Sequence, residues 1–251
     1  MLLLIAGALQ AAAPAEPPTM PPTVAALPAG DSCAALIRED PVAAERRASV
    51  DRSVEGRACL GLALTAQNRF AAAAAAFEEA ARTAELARTG EAARFWAQAG
   101  NAWLAGEDPV KARAALDAAL AAGTLSGLER GEAMLDRARA LVATGDLKAA
   151  RVDLDGAVVD AADDPLAWLL SATLARRTGD LPRAKADIAQ ALRRSADDAQ
   201  VQLEVGNIAA LEGDEAGAKA AWTAAMRIAP DRPAGQAAAR ALTQFNADGQ
   251  K

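Results

Sequence analysis

The chain has 251 residues, of which 52% are apolar and only 3% aromatic, and its formal net charge is −6. Alanine, the strongest helix former, dominates the composition, so an almost entirely helical protein is predicted. Acidic and basic residues alternate without a basic run, which argues against nucleic acid as a partner because neutralising phosphates needs a basic surface.

An apolar run at 2–9 opens the chain and is too short to cross a bilayer as a helix. It is typical of a secretory signal, and Ala13-Pro14-Ala15 offers a small-residue cleavage site, so we predict a signal peptide over 1–15 and an exported, periplasmic protein. We expect no stable membrane span in the mature chain. No Lys or Arg stands between Met1 and the run, and a cytoplasmic protein with an apolar leader is the alternative.

A proline-rich segment follows the leader, since six of the twelve prolines lie within 14–28. Proline-rich chains are extended and unpacked, so residues 16–30 are predicted to be a linker. The folded part is expected to begin near Asp31. Capping helices are predicted over 31–53, with an interruption near Asp40-Pro41, because a terminal unit of a stack must cover its apolar face.

Three later stretches share one pattern, and each begins with Gly-Asp, at Gly145, Gly179 and Gly213, so that the pattern recurs every 34 residues. Each stretch has Ala five residues after the Gly, a large apolar residue four further on and Ala three after that. This period predicts stacked helix-turn-helix units. Glycine tolerates the left-handed turn between two helices and the aspartate caps the second helix, so the pattern indicates architecture and not catalysis.

The pattern resembles the tetratricopeptide repeat (TPR), whose consensus has small residues at positions 8, 20 and 27, large rings at 4 and 24, and often Pro at 32. Five copies fit between 54 and 232. The copy at 199–232 fits best, with Gly206, Ala218, Trp222, Ala225 and Pro230 at positions 8, 20, 24, 27 and 32. The resemblance implies an all-α fold, a right-handed α-solenoid over 54–232, followed by a capping helix and tail over 233–251.

The resemblance also implies a peptide-binding groove, because the first helix of each TPR unit lines an inner surface through positions 2, 5, 9, 12 and 13. The polar candidates at these positions are Arg94, Asn101, Arg139, Thr173, Arg176, Arg177 and Asn207. Asn can pair with peptide amides and Arg can bind a carboxylate through two hydrogen bonds, so an acidic or carboxylate-bearing segment is expected. An ordinary solvated face is the alternative for each residue.

One known TPR partner is not predicted. The members that bind chaperone tails hold a terminal carboxylate with Lys and Asn at specific groove positions. Asn101 stands at one of the positions that carry Asn in those members. The Lys at position 5 is absent, since Ala97 and Leu135 stand at that position in the second and third copies.

Cys33 and Cys59 are the only two cysteines, and their sequence separation is 26 residues. An even count in an exported protein argues for a disulfide, which would tie the amino-terminal cap to the first unit. Two buried free thiols in a cytoplasmic protein are the alternative.

The sequence gives no support for catalysis. It contains no histidine, the commonest general base and metal ligand, and no GxxxxGK[ST] phosphate loop. Acidic pairs such as Asp163-Asp164 lie at predicted unit boundaries, where solvated turn residues are the simpler interpretation. We therefore expect no enzyme, no metal and no cofactor. The predicted function is a protein interaction scaffold that binds a peptide segment or helix of a cell-envelope partner. The alternative is an assembly subunit that self-associates through the ends of the solenoid.

Overall fold

The structure is a computed structural model that describes residues 31–248. The predicted signal peptide, the predicted linker and the last three residues lie outside this range. The described residues form α-helices and no strand. The helices are α1 (Asp31–Glu39), α2 (Pro41–Ser49), α3 (Val54–Ala66), α4 (Phe70–Ala87), α5 (Ala92–Ala105), α6 (Pro109–Ala121), α7 (Gly127–Ala143), α8 (Leu147–Asp160), α9 (Pro165–Arg177), α10 (Leu181–Arg194), α11 (Ala199–Glu212), α12 (Glu215–Ile228) and α13 (Pro233–Asp248).

Five helix pairs from α3–α4 to α11–α12 form the repeated units, which we number 1 to 5. The turns inside units 3, 4 and 5 have the predicted chemistry. Gly145, Gly179 and Gly213 have φ angles of 86°, 85° and 79°, a left-handed conformation that glycine adopts without strain. The aspartate after each glycine accepts a hydrogen bond from a backbone N–H in the first turn of the next helix, as an N-cap does.

Units 1 and 2 make the same left-handed turn with a residue other than glycine at the left-handed position. Asn68 and Glu107 have φ angles of 58° and 60°. In unit 2, Asp108 caps α6 by accepting from the Lys111 N–H, and Pro109 occupies the first turn. Asn adopts this conformation more readily than other side chains, whereas at Glu107 it is disfavoured and has to be offset by the packing of the helices on either side.

Small residues let the paired helices approach each other. The alanines at positions 20 and 27 of all five units have no exposed surface, and they are Ala73, Ala80, Ala112, Ala119, Ala150, Ala157, Ala184, Ala191, Ala218 and Ala225. The large residue at position 24 packs against position 8. A Cβ atom on Gly61 would lie 2.6 Å from the Phe77 ring, and one on Gly206 would overlap the Trp222 ring. The predicted packing rule is therefore a steric requirement.

Helices cover both ends of the described stack. α1 and α2 pack against α3, and Asp40 caps α2, with Pro41 in its first turn, at the point where the sequence predicts an interruption. A disulfide joins Cys33 of α1 to Cys59 of α3, the pairing that the cysteine count predicts. α13 packs on α12 and α11 through Ala238, Leu242 and Phe245, and Phe245 meets Trp222 edge-on at 5.5 Å between ring centroids.

Candidate binding surface

Some first helices of consecutive units contact each other, α5 with α7 between units 2 and 3 and α9 with α11 between units 4 and 5. We call the residues at positions 2, 5, 9, 12 and 13 of the first helices the first-helix face. Its members in units 2 to 5 that keep some exposure are Arg94, Ala97, Asn101, Leu104, Ala105, Glu132, Arg139, Val142, Ala143, Leu166, Thr173, Arg176, Arg177, Gln200, Leu203, Asn207, Ala210 and Leu211. The seven predicted groove residues belong to this face because the same repeat positions define it.

Between units 2 and 3, the predicted groove residues bind carboxylates of this chain. Nε of Arg94 lies 2.8 Å from Oε1 of Glu129 on the next first helix. Nδ2 of Asn101 donates to Oδ2 of Asp136 at 2.8 Å, while Nη1 of Arg139 lies 2.9 Å from the other oxygen of Asp136. The contacts of Arg94 and Asn101 join α5 to α7, and the Arg139–Asp136 pair lies within α7, so the first role of these groups is structural.

The same arrangement recurs between units 4 and 5. Nε and Nη2 of Arg176 donate to the two carboxylate oxygens of Glu204 at 2.6 and 3.2 Å. Nδ2 of Asn207 donates to Glu204 at 3.2 Å, and its carbonyl oxygen accepts from the Trp222 ring N–H at 3.1 Å. Glu204 is only 5% exposed, so Arg176 and Asn207 neutralise and satisfy a buried carboxylate.

The structure therefore changes the interpretation of the arginines. The sequence suggested arginines available for a partner's carboxylate, but Arg94, Arg139 and Arg176 are each paired with a carboxylate of this chain. Arg177 is different, because it is exposed at the end of α9 and forms no ion pair within residues 31–248. Thr173 is half-buried on the same helix, four residues before Arg177.

A carboxylate without a cation stands on the same face. Glu132, at position 2 of unit 3, makes no ion pair or hydrogen bond in the described part of the chain. Burial raises the pKa of this carboxyl group, and the negative charges of Asp164, Asp136 and Glu129 raise it further. Burial also raises the pKa of Asp164, against the lowering effect of its hydrogen bond from the Leu166 N–H. The potential around Glu132 is therefore negative.

Apolar side chains separate these charges. Leu104, Val142, Leu166 and Leu203 are half-buried members of the first-helix face. Leu211, at the end of α11, is 53% exposed. The first-helix face is therefore mixed, with partly exposed leucines and a few charged groups.

A second polar system lies inside the stack and was not found from the sequence. Arg137 binds Asp153 through two hydrogen bonds, at 2.8 and 2.6 Å. Oγ of Ser171 accepts from Arg151 at 2.8 Å and donates to Asp187 at 2.5 Å. The Arg137–Asp153 and Ser171–Asp187 contacts join the two helices of one unit, and the Arg151–Ser171 contact joins units 3 and 4. Asp153, Ser171 and Asp187 are buried, so these groups align helices and cannot meet a ligand. The only available signal was the recurrence of Asp at position 23 of units 3 and 4.

Within residues 31–248, no three potential ligands among Cys, Asp and Glu converge as a metal site would require. No helix in that range is both long enough and apolar enough to cross a membrane.

Solved structures with the same arrangement of helices establish the fold. YrrB, described as a TPR protein with an unusual peptide-binding site, matches with a TM-score of 0.57 at 20% sequence identity, over 84% of this chain and 100% of its own. The chain has the TPR fold. PilF of Pseudomonas aeruginosa matches this TPR solenoid with a TM-score of 0.67 at 14% identity, over 86% of this chain and 91% of PilF.

A third structure is the C-terminal part of a TPR repeat-containing protein from Cytophaga hutchinsonii, with a TM-score of 0.51 at 12% identity, over 82% of this chain and 91% of its own. No model of a protein family matches the sequence, and no curated protein matches it significantly. At these sequence identities the similarity establishes the TPR fold and does not assign a function.

Proposed function

We propose that this TPR solenoid is a non-enzymatic interaction scaffold, which binds a segment or helix of a partner protein along its first-helix face. The observation that carries the proposal is the composition of that face, where half-buried leucines alternate with charged groups. The peptide-binding site for which YrrB is described supports the same use of this fold.

We propose further that the protein is exported and that its partner belongs to the cell envelope. The disulfide between Cys33 and Cys59 supports an oxidising compartment, since disulfides are rare in the cytosol. The apolar leader and the small residues after it in the sequence support the same location.

The ends of the described stack do not favour the alternative of self-association. The outward residues of α13, such as Gln236, Arg240 and Gln244, are exposed and polar. At the other end Arg46 and Arg47 are exposed on α2, and so are Val42 and Val50. The polar outer face of α13 is what a terminal cap of a soluble repeat protein needs, and it makes end-to-end stacking at that end unfavourable. Light scattering should therefore give the mass of a monomer, whereas a concentration-dependent oligomer would support the assembly subunit.

The partner can be sought by affinity capture from cell-envelope extract with residues 16–251 as bait. Two matched double variants decide which face is used, because each places two glutamates at exposed positions. Ala143→Glu/Leu211→Glu changes the first-helix face, and Val152→Glu/Ala186→Glu changes the second helices of units 3 and 4. We expect a protein that is captured by the parent and by the second variant and lost with the first. Loss with the second variant alone would reject the first-helix face as the binding surface.

A further inference from the structure

We infer that the partner segment carries a basic side chain that docks beside Glu132 and an acidic group that docks at Arg177. The inference rests on the proposed function, since it requires that the first-helix face binds a segment of another protein. It specifies the chemistry of that segment and the direction in which it lies.

Internal pairing leaves two charges uncompensated on this face in the described part of the chain. Glu129, Asp136 and Glu204 are each matched by an arginine, at 2.8, 2.9 and 2.6 Å respectively. Glu132 and Arg177 have no such match. A partner that supplies the missing charges gains Coulomb energy without breaking any of the pairs that hold the helices together.

The surroundings of Glu132 select a cation. The neighbouring carboxylates Glu129, Asp136 and Asp164 all add negative potential at this position. Asp164, whose charge acts on Glu132, accepts a hydrogen bond from the Leu166 N–H, so the start of α9 lies near Glu132 and the half-buried Leu166 offers an apolar surface there. Lys and Arg combine an aliphatic stem with a charged head, and such a side chain can cover Leu166 while its head meets Glu132.

Arg177 stands at the opposite edge of the face. It follows Leu166 by eleven residues on α9, which corresponds to about 16 Å along the helix axis. The exposed guanidinium can bind a carboxylate through two hydrogen bonds. Because the start of α9 lies near Glu132, we expect the partner's basic and acidic groups to be separated by roughly this 16 Å, which is about five residues in an extended chain or eleven in a helix. A segment bound the other way round would place like charges together at both edges.

Selection from a displayed library of random peptides tests the inference without knowledge of the partner. The peptides should have about sixteen residues, which is long enough for both spacings. Residues 16–251 are immobilised as the parent and as the Glu132→Gln and Arg177→Gln variants. Glu39→Gln and Arg193→Gln are the matched controls, because both residues are exposed, on α1 and α10, and form no ion pair with any residue in 31–248.

We expect the parent and both controls to enrich peptides with a basic and an acidic residue at one of the two spacings. Peptides selected on Glu132→Gln should no longer be enriched in the basic residue but should keep the acidic one. Peptides selected on Arg177→Gln should no longer be enriched in the acidic residue but should keep the basic one. Two results would overturn the inference and leave the proposed function standing. One is that the parent enriches peptides that lack this charge pair, and the other is that both variants enrich the same charge pair as the parent. A parent that enriches no peptide over the bare support would count against both.

Discussion

Arg176 on α9 holds the carboxylate of Glu204 on α11 through two hydrogen bonds of 2.6 and 3.2 Å. The pair joins the first helices of units 4 and 5, and the Glu204 side chain is only 6% exposed. Arg176 thus lies on the first-helix face by its repeat position and also joins units 4 and 5. Substitutions of Arg176 would therefore disturb the stack as well as any ligand.

Removal of Arg176 should be strongly destabilising. Arg176→Ala leaves a buried carboxylate without its cation, and we expect the free energy of unfolding to fall by about 3 kcal/mol in urea denaturation. Arg177→Ala removes the neighbouring exposed arginine and should change it by less than about 0.5 kcal/mol. The double variant Arg176→Leu/Glu204→Leu should recover most of the loss, because no unpaired charge remains. Equal effects of the two alanine variants would show that the ion pair is not structural.

The disulfide should stabilise the amino-terminal cap. Cys33 and Cys59 close a loop with a sequence separation of 26 residues, for which the chain-entropy relation gives about 3 kcal/mol. We expect a reductant to lower the urea midpoint of the parent and to leave that of Cys33→Ser/Cys59→Ser unchanged. Hydrogen exchange should locate the change in α1 and α2. A reductant without effect on the parent would mean that the thiols are not joined in solution.

The carboxyl group of Glu132 should make stability depend on pH. Its pKa is raised in the folded protein above the ordinary value of 4.5, so the ionised form destabilises the native state at neutral pH. Glu132→Gln should therefore raise the melting temperature at pH 7. The difference in melting temperature between the variant and the parent should decrease as the pH falls from the raised pKa towards 4.5. In that range the native parent takes up a proton that the unfolded chain does not.

The difference in melting temperature between the parent and Glu132→Gln is measured from about pH 4 to 7.5, an interval that covers the titration of carboxyl groups. The exposed Glu39→Gln variant is the control and should show a difference that is small at every pH. A Glu132→Gln variant that is less stable than the parent at pH 7 would indicate a cation partner for Glu132 that the structure does not contain.

Gly206 and Trp222 should be energetically coupled. A Cβ atom at position 206 would overlap the Trp222 ring, whose N–H is bonded to Asn207, so Gly206→Ala should destabilise unit 5 by about 1–3 kcal/mol. Unit 3 has Ala138 and Leu154 at the two equivalent positions and packs well. In a double-mutant cycle, Trp222→Leu should therefore cost less in the Gly206→Ala background than in the parent. Additive effects would contradict the steric account.

The fold could be predicted from the sequence because its determinants are local and recur. Gly145, Gly179 and Gly213 mark three of the turns by their spacing alone, and the alanines at positions 20 and 27 mark the close approaches of helices. The turns at Asn68 and Glu107 have the same left-handed conformation without a glycine at that position, so the glycine spacing does not mark them. The disulfide was predictable because the sequence contains only one pair of cysteines.

The charged contacts could not be predicted in the same way. Arg176 and Glu204 are 28 residues apart, on different units, and their pairing depends on how far neighbouring first helices are offset along their axes. The repeat pattern places both residues on helices but does not fix that offset. Repeat position alone therefore assigned Arg94, Arg139 and Arg176 to a ligand. That Glu132 has no cation among the described residues becomes visible only when the ion pairs of its neighbours are known.

The most direct test of the central claim is site-specific photo-crosslinking in the cells that produce the protein. A benzophenone amino acid is placed at Ala143 or Leu211 on the first-helix face, or at Val152 or Ala186 on the second helices, all of which are exposed. We predict a discrete crosslinked protein from the first two positions and none from the other two. Crosslinks from Val152 or Ala186 alone would show that the partner binds the opposite side and would contradict the account.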